Sequence, residues 1–270
     1  MTRHLPALLL TLATVSVPAF ADSGSLMSSG RASERSVLKT EQEIGVFIAG
    51  GPRYPGAREI KGMLSPYVEA NFRNGMFVSS TDGIGFRFLD NADGFSAAMS
   101  LDGSGQRREK HGAHDGINRL RGMGDIDSRL RANLLLNYDN GPLHGSAKLS
   151  RTLGSRHDTA LDLTVGYDLH NDRDNLVRAS AGLTWGNRDL MQTWFGVDAA
   201  QSARSGNRIY TADSGVAGGA VGVTWRHAFN RDWVGTVGAG VSTLRGSAAD
   251  SPLTERKTSA MIGGAIGYRF

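Results

Sequence analysis

Two residues in the segment NGPLHGS have the types and spacing that hydrolytic chemistry requires. His144 and Ser146 are two positions apart, so an extended backbone places both side chains on the same face of a strand. A histidine in that position can act as the general base that activates a serine hydroxyl as a nucleophile. The role of the pair depends on the element that carries it and on the direction in which that strand face points.

The elements are predicted to be β-strands, because the hydrophobic pattern has a period of two from about residue 41 to residue 270. In LDLTVGYDL, the apolar residues from Leu161 to Leu169 alternate with a polar or small set from Asp162 to Asp168. The segments VRASAGLTW and LRANLLLNY repeat this alternation. Each of these segments therefore has one apolar and one polar face.

Three features favour a membrane barrel over a soluble sandwich, whose strands alternate in the same way. The polar faces are rich in Gly, Ser, Thr and charged residues. Aromatic residues such as Tyr138, Trp185 and Trp225 lie at strand ends, as in the aromatic girdles of membrane interfaces. Tight turns such as DNG (139–141) alternate with long polar loops such as 187–216, which is typical of outer-membrane barrels.

We therefore predict an all-β fold, a transmembrane antiparallel up-and-down β-barrel of twelve strands, with ten as the alternative if short strands at 75–81 and 84–90 are absent. An even number places both chain ends on the short-turn side, which is periplasmic in such barrels. The last strand must pair with the first, since lipid offers no partner for backbone groups. Its outward residues Ile266, Tyr268 and Phe270 resemble the C-terminal signature that the barrel-assembly machinery recognises.

Charged residues on the polar strand faces are expected to line the lumen, where each must be paired or hydrated. The candidates are Glu69, Arg87, Arg131, Lys148, Asp162, Asp168, Arg178 and Arg269. His144 and Ser146 are expected to line the same lumen, because they follow a periplasmic turn, whereas the lipid substrate of a barrel enzyme would lie at the opposite rim. We predict no catalytic residue.

A polar loop, GQRREKHGAHDGINRLRGMGD (105–125), is slightly basic. Its cations could donate charge-assisted hydrogen bonds to lipopolysaccharide phosphates: Arg107, Arg108, Lys110, Arg119 and Arg121. A solvated loop without a ligand is the interpretation that we favour. His111 and His114 are three positions apart in this loop, which is weak evidence for a metal site, so we predict neither a metal nor another cofactor.

The segment LMQTWFGVDAAQSARSG (190–206) is more apolar than a free loop needs to be. Met191, Trp194, Phe195 and Val197 are predicted to fold over the barrel mouth as a plug or lid. The alternative is that the four side chains form an exposed docking patch for a partner.

The first 21 residues combine Arg3, a short apolar run and an A-x-A site at Ala19 and Ala21, which indicates a secretory signal peptide. Residues 22–40 are Ser-rich and aperiodic, so we expect a disordered periplasmic tail, followed by the barrel at 41–270. Outside the signal peptide, no apolar stretch is long enough for a transmembrane helix. The net charge of +4 is too small to indicate a nucleic-acid partner.

Two longer segments, RLRGMGDIDSRLRANLLLNYDNGPL (119–143) and LMQTWFGVDAAQSARSGNRIYTADSGV (190–216), resemble the MipA/OmpV family, the MltA-interacting proteins of Gram-negative outer membranes. FVSSTDGIGFRF (77–88) and residues 241–270 extend the likeness, and QTWFGVDAAQSARSG is its most specific part. The resemblance implies an outer-membrane barrel with no catalytic activity. The family's namesake is described as a scaffold that joins a lytic transglycosylase to a bifunctional penicillin-binding protein, and other members are discussed as porin-like or adhesive.

We therefore expect a non-enzymatic barrel of the Gram-negative outer membrane that links murein-synthesising and murein-lytic enzymes to that membrane. The expected partners are outer-membrane lipid and lipopolysaccharide, the barrel-assembly machinery, a murein lytic transglycosylase and a penicillin-binding protein, but no nucleic acid. A porin-like channel for small solutes is the alternative, and an adhesin or a barrel enzyme is less favoured.

Overall fold

Twelve antiparallel strands form one closed barrel in the computed structural model, which describes residues 42–114 and 117–270. The strands are β1 (Gln42–Pro52), β2 (Ile60–Asn71), β3 (Met76–Ser79), β4 (Gly83–Asp90), β5 (Phe95–Gly103), β6 (Leu130–Asn140), β7 (Leu143–Thr152), β8 (Thr159–Asn171), β9 (Asn175–Gly186), β10 (Gly215–Ala228), β11 (Trp233–Leu244) and β12 (Thr258–Arg269). Each strand pairs with its neighbours in sequence, and β12 pairs with β1. The prediction of twelve strands is confirmed and the ten-strand alternative is wrong. The predicted signal peptide and tail lie outside the described residues.

The period-two pattern separates an outer and an inner surface. On β1, Ile44, Val46 and Ile48 are exposed, whereas Glu43 and Ala49 are buried. The other long strands repeat this arrangement, with aliphatic and aromatic side chains outward and polar side chains buried inside. The outer surface is therefore the apolar band that contacts lipid.

The barrel closes between β1 and β12, where Ile44 lies opposite Tyr268 and Val46 lies opposite Ile266. The Phe270 N–H donates to the carbonyl oxygen of Gln42 at 3.1 Å. Ile266, Tyr268 and Phe270 are all partly exposed on the outer surface, and the Tyr268 ring makes an edge contact with Trp233, with ring centroids 5.3 Å apart. The role of these residues as an assembly signal stays a prediction.

Short turns connect the strands on the side where β1 begins. Gly75, Gly94 and Gly141 have φ angles of 87°, 87° and 57° in these turns. A positive φ of this kind is accessible to glycine without a steric cost. The turn predicted from DNG (139–141) is therefore confirmed, and the segments RNG (73–75) and NADG (91–94) form turns of the same kind.

The long loops on the opposite side contain helices that the sequence analysis treated as irregular. They are α1 (Arg188–Phe195), α2 (Ala199–Ser205), α3 (Gly246–Ala249) and a 3₁₀ turn at Glu109–Gly112. Asn187 caps α1 by accepting from the Leu190 N–H, and Asp198 and Gln201 form a capping box on α2. Such caps satisfy the amide groups that a helix start leaves free. None of the helices in the described part of the chain has the length and apolar character to cross a membrane.

Candidate functional site

The loop-side mouth of the barrel contains a small hydrophobic core. Helix α1 buries one apolar face, consisting of Leu190, Met191, Trp194 and Phe195. This face packs against Ile126, Ala160, Ala212, Ala217 and Ala248, which come from different loops and strand ends. Because these side chains are far apart in sequence, α1 ties the loops together over the barrel.

A second cluster adjoins the first and is formed by Tyr54, Ala57, Leu120, Met123, Val197 and Leu253. The Tyr54 hydroxyl donates to the carbonyl oxygen of Leu253 at 3.3 Å. Four of the long loops thus contribute side chains to one continuous cap, which we call the mouth cap. It consists of the two clusters together with Arg107.

Arg107 lies at the centre of the mouth cap and is only 2% exposed. Its Nη1 donates to the carbonyl oxygen of Trp194 at 2.6 Å. Burial lowers the pKa of Arg107 to about 10, with Tyr54 and Asp125 opposing that change. A guanidinium in this position fixes the C-terminal end of α1 to the loop at residues 104–129.

The favoured interpretation of that loop as fully solvated is therefore wrong for part of it. Arg107, Leu120, Met123 and Ile126 are buried, because the loop folds back on itself through paired backbone hydrogen bonds between Arg107 and Ile126. The other predicted cations remain at the surface. Arg108 forms ion pairs with Asp125 and Asp127, Arg119 lies 3.4 Å from Glu255, and Lys110 and Arg121 are exposed.

Asp125 and His111, in the same loop as Arg107, also have shifted pKa values. The pKa of Asp125 is lowered by the backbone N–H of Glu109 and by the Arg108 guanidinium. The pKa of His111 is lowered by burial and by the surrounding cations. The His111 Nδ1 accepts a hydrogen bond from the Arg108 N–H at 3.2 Å, which requires the neutral ring.

The four predicted mouth residues, Met191, Trp194, Phe195 and Val197, are all buried inside the mouth cap. They do not form an exposed docking patch in this structure. Their function as a lid stays a prediction, since nothing here measures passage through the barrel.

Three groups of charged side chains fill the interior below the mouth cap. In the first, Glu43 accepts from the Tyr67 hydroxyl at 2.5 Å and from Arg226 Nη2 at 2.7 Å. Arg269 Nε lies 3.6 Å from the same carboxylate. Glu43, Tyr67 and Arg226 are all buried, so this group is a compact ion-pair network near the short-turn end.

The second group surrounds His144. Its Nδ1 lies 2.6 Å from Asp139 and its Nε2 lies 3.0 Å from Asp168. Arg178, only 1% exposed, donates from Nε to the other oxygen of Asp168 at 2.5 Å. Both ring nitrogens of His144 are therefore engaged by carboxylates, and neither is directed at Ser146 as a general base would be.

The third group lies closer to the mouth. Arg131 donates from Nε and Nη2 to the two oxygens of Asp102, at 2.8 and 2.6 Å. Lys148 Nζ is 3.6 Å from the same carboxylate and 3.0 Å from Asp82. This bidentate geometry is the strong form of an arginine–carboxylate pair.

The three remaining predicted lumen residues make more local contacts. Glu69 accepts from the Ser79 hydroxyl at 3.1 Å, and Asp162 accepts from the Thr184 hydroxyl at 2.5 Å. Arg87 is partly exposed; its Nη1 lies 4.0 Å from Asp90, and its Nη2 donates to Asn71 Oδ1 at 3.5 Å. The structure thus joins five of the eight predicted residues to larger networks, and their functional role stays a prediction.

Several members of these networks were not predicted from the sequence: Glu43, Asp82, Asp102, Asp139 and Arg226. Glu43 and Arg226 alternate with the outward residues Ile44 and Trp225, so the period-two pattern contains the signal that would have found them. Arg107 was predicted only as a possible phosphate contact, and its buried position has no such signal, because it lies in an aperiodic loop. Within residues 42–114 and 117–270, no group of three or more His, Cys, Asp or Glu side chains has the geometry to hold a metal ion.

When the sequence is compared with models of known protein families, it matches one family. The family model described as MltA-interacting protein MipA matches residues 44–270. No curated protein matches the sequence.

Solved structures that are similar to the chain are outer-membrane proteins with low sequence identity. The NanC porin is 10% identical, with 83% of this chain and 100% of that chain covered and a TM-score of 0.48. A bacterial polysaccharide outer membrane secretin is 11% identical, with coverage of 87% and 100% and a TM-score of 0.43. OmpT of Vibrio cholerae is 8% identical, with coverage of 86% and 97% and a TM-score of 0.36. Sequence identities and TM-scores this low do not support a statement about the function of this chain.

Proposed function

The chain belongs to the MltA-interacting protein (MipA) family, and on that premise we propose that it is a non-enzymatic structural protein of the Gram-negative outer membrane. It anchors cell-wall enzymes to that membrane rather than conducting solutes. Its expected ligands are lipid and lipopolysaccharide around the barrel, and its expected protein partners are a murein lytic transglycosylase and a penicillin-binding protein.

The observation that carries the proposal is the burial of polar groups along the whole interior. Arg226 and Arg178 near the short turns, Asn133 and Ser150 higher up, and Arg107 under α1 are each less than 9% exposed. In an open, water-filled channel these side chains would be accessible to solvent from the lumen. A filled interior below the mouth cap supports a structural role.

Planar-bilayer recording tests whether the barrel conducts. We expect the refolded protein to give a flat baseline under conditions in which a general porin gives clear steps. The shift in gel mobility between heated and unheated samples confirms that the barrel is folded in the same preparation. Reproducible current steps from the folded protein would overturn the structural proposal in favour of a channel.

The short-turn face is the surface that a periplasmic enzyme would meet. It carries exposed charges of both signs in its turns: the cations Arg73, Arg173 and Arg231 and the carboxylates Asp93, Asp174 and Asp232. Opposite charges on a partner would steer association and set orientation. We therefore place the scaffold interaction on this face, with the predicted tail at residues 22–40 as a second candidate element.

A binding assay with a purified murein lytic transglycosylase tests this placement. Reversing the three turn cations to Glu should weaken binding about tenfold or more, because each rim charge affects association. The matched control is R188E/R204E, which reverses two exposed cations at the opposite rim and should leave binding unchanged. Equal binding by all variants, with and without residues 22–40, would remove the scaffold role from the proposal.

A further inference from the structure

The wall of the barrel is interrupted beside β2. Strand β2 has 12 residues, but its neighbour β3 has only 4. The pairing between them stops at Val68, where the Ser80 N–H donates to the Val68 carbonyl oxygen at 3.0 Å and the Val68 N–H donates to Ser80 Oγ at 2.8 Å. Within the described residues, no strand pairs with this edge of β2 between Ile60 and Tyr67.

In an antiparallel ladder, the backbone groups of successive residues point to opposite neighbouring strands. This alternation identifies the residues of β2 whose backbone groups face the gap. Val68 bonds toward β3, so the residues at even numbers direct their N–H and C=O groups to that side. They are Ile60, Gly62 and Leu64, followed by Pro66. Proline has no N–H to leave unpaired, and the Pro66 carbonyl oxygen accepts from the Ser65 hydroxyl at 3.1 Å. The free edge is therefore limited to three alternating residues.

The gap lies at membrane depth. From Gly75 to Ser80 the chain rises about 13 Å, at about 3.3 Å per residue and a strand tilt of about 40°. The apolar band of such barrels is about 25 Å tall, so the turn at residues 80–82 ends near its middle. The same rise along β2 places Leu64 near the outer boundary of the band and Ile60 above it, so the gap extends from the middle of the membrane to its outer surface. The side chains of Leu64 and Ile60 on the outer surface beside the gap are 74% and 56% exposed, as lipid-facing residues of a barrel are.

Unpaired backbone groups in hydrocarbon are costly, and open sheet edges normally do not occur there. The inner margin of the gap is polar, because Ser79, Thr81 and Asp82 line the turn, and Lys148 reaches Asp82 from across the interior. An occupant of the gap must therefore offer hydrogen-bonding groups toward the barrel and apolar groups toward the membrane.

Positive charge surrounds the upper end of the gap. Lys61 is exposed at the start of β2. The groups that act electrostatically on His111, in the adjacent loop, are Lys61, Arg53, Lys110 and Arg108. Arg53 and Arg108 pair with carboxylates, and the side chains of Lys61 and Lys110 are exposed. The mouth cap closes the end of the barrel, and the gap beside β2 is where a free strand edge of the barrel wall meets the membrane.

We propose that this gap binds the phosphorylated, acylated headgroup of lipopolysaccharide in the outer leaflet, which deepens the lipopolysaccharide contact of the proposed function. The acyl chains lie against Leu64 and the wall below it, because β2 runs from the loop side at Ile60 toward the short turns. The headgroup oxygens accept from the N–H groups of Gly62 and Leu64 and from Lys61 Nζ. A protein strand is the less suitable occupant, because Pro66 and Ser65 leave an edge too short to support a stable ladder.

Native mass spectrometry of the detergent-solubilised full chain, titrated with purified lipid A, tests the proposal. K61Q removes one charge-assisted hydrogen bond and should weaken the apparent affinity about tenfold. G62W places a bulky side chain on the outer face beside the free edge, where the headgroup would lie, and should abolish retention of lipid A. The matched controls are K257Q, a second exposed lysine on the loop side, and G264W, an outward glycine on the fully paired strand β12, and both should bind like the wild type.

Each alternative result is decisive. Equal retention of lipid A by K61Q and K257Q would overturn the proposed headgroup contact. Equal retention of phosphatidylcholine would reduce the site to nonspecific lipid contact, and equal retention of phosphatidylglycerol would overturn the choice of lipopolysaccharide. A stable dimer that G62W disrupts would show that a second copy occupies the edge.

A second measurement covers the case in which G62W fails to fold. The chain has no cysteine, so single nitroxide labels can be placed through G62C and G264C. In liposomes, the label at position 62 should be accessible to a polar nickel reagent and should become protected when lipid A is added. A label as inaccessible as the one at position 264 would exclude a hydrated opening. Neither outcome bears on the scaffold proposal, which concerns the opposite face.

Discussion

Arg226 on β10 and Glu43 on β1 meet inside the barrel with Nη2 and Oε2 2.7 Å apart, although β11 and β12 separate their strands in the sheet. A contact that skips two strands requires the intervening positions to carry little side-chain volume on the inner face. Gly267 on β12 meets this requirement, because a Cβ at that position would collide with the Tyr67 hydroxyl and with the Glu43 carboxylate. The ion pair and the glycine therefore depend on each other.

Replacement of Glu43 by Ala should strongly destabilise the barrel. Arg226 and Glu43 are both more than nine-tenths buried, and removing one partner leaves an uncompensated buried charge that costs about 3–5 kcal/mol. The midpoint of urea unfolding in detergent, followed by tryptophan fluorescence, measures the effect. The double variant E43A/R226M should recover part of the loss, because it removes both charges, and a double variant less stable than E43A would contradict this account.

The network around His144 predicts unequal effects of two similar substitutions. Asp168 is the direct partner of the buried Arg178, whereas Asp139 contacts His144, which is neutral unless it is protonated. D168N should therefore cost about 3 kcal/mol, as expected for a broken buried ion pair, and D139N about 1 kcal/mol, as for a single hydrogen bond. Unfolding midpoints of the two variants give the comparison. Equal losses would mean that the His144 contact matters as much as the arginine contact.

The strands could be predicted from the sequence, whereas the ion-pair networks of the interior and the mouth cap could not. Alternation is a local property, so Leu161 to Leu169 and its neighbours identify β8 without any knowledge of the fold. The pairing of Glu43 with Arg226 links residues 183 positions apart and depends on barrel closure and width, which alternation does not encode. Helix α1 has only 8 residues, too few for its period to stand out, and the buried state of Arg107 follows only from packing of loops.

Acidification should loosen the loop that contains His111. Its pKa is lowered by burial and by neighbouring cations, so the folded state binds a proton less readily than the unfolded chain, whose histidine titrates near 6.5. The stability from the neutral ring is complete above that value and is lost as the pH falls below it. Protonation would also end the acceptor role of Nδ1 toward the Arg108 N–H.

Histidine-selective NMR measures this titration. The signal absent from H111Q identifies His111, and its midpoint should lie below 6.5, the value of an unperturbed histidine. Amide exchange of residues 105–111, corrected for intrinsic rates, should increase at pH 5 in the wild type and change less in H111Q. A His111 midpoint at or above 6.5 would show that the surrounding cations are screened by solvent.

A comparison of two glycines tests whether the narrow interior needs the absence of a side chain. A Cβ at Gly45 would lie inside contact distance of the Ile266 carbonyl oxygen and of the Tyr67 ring, whereas a Cβ at Gly62 would meet nothing within 4 Å. Because a backbone carbonyl in a closed ladder cannot move aside, G45A should cost about 1–3 kcal/mol. G62A should be neutral or slightly stabilising, since alanine restricts the unfolded chain. Unfolding midpoints again provide the measurement, and a G45A barrel as stable as the wild type would mean that the seam between β1 and β12 can widen without losing the contact between Tyr67 and Glu43.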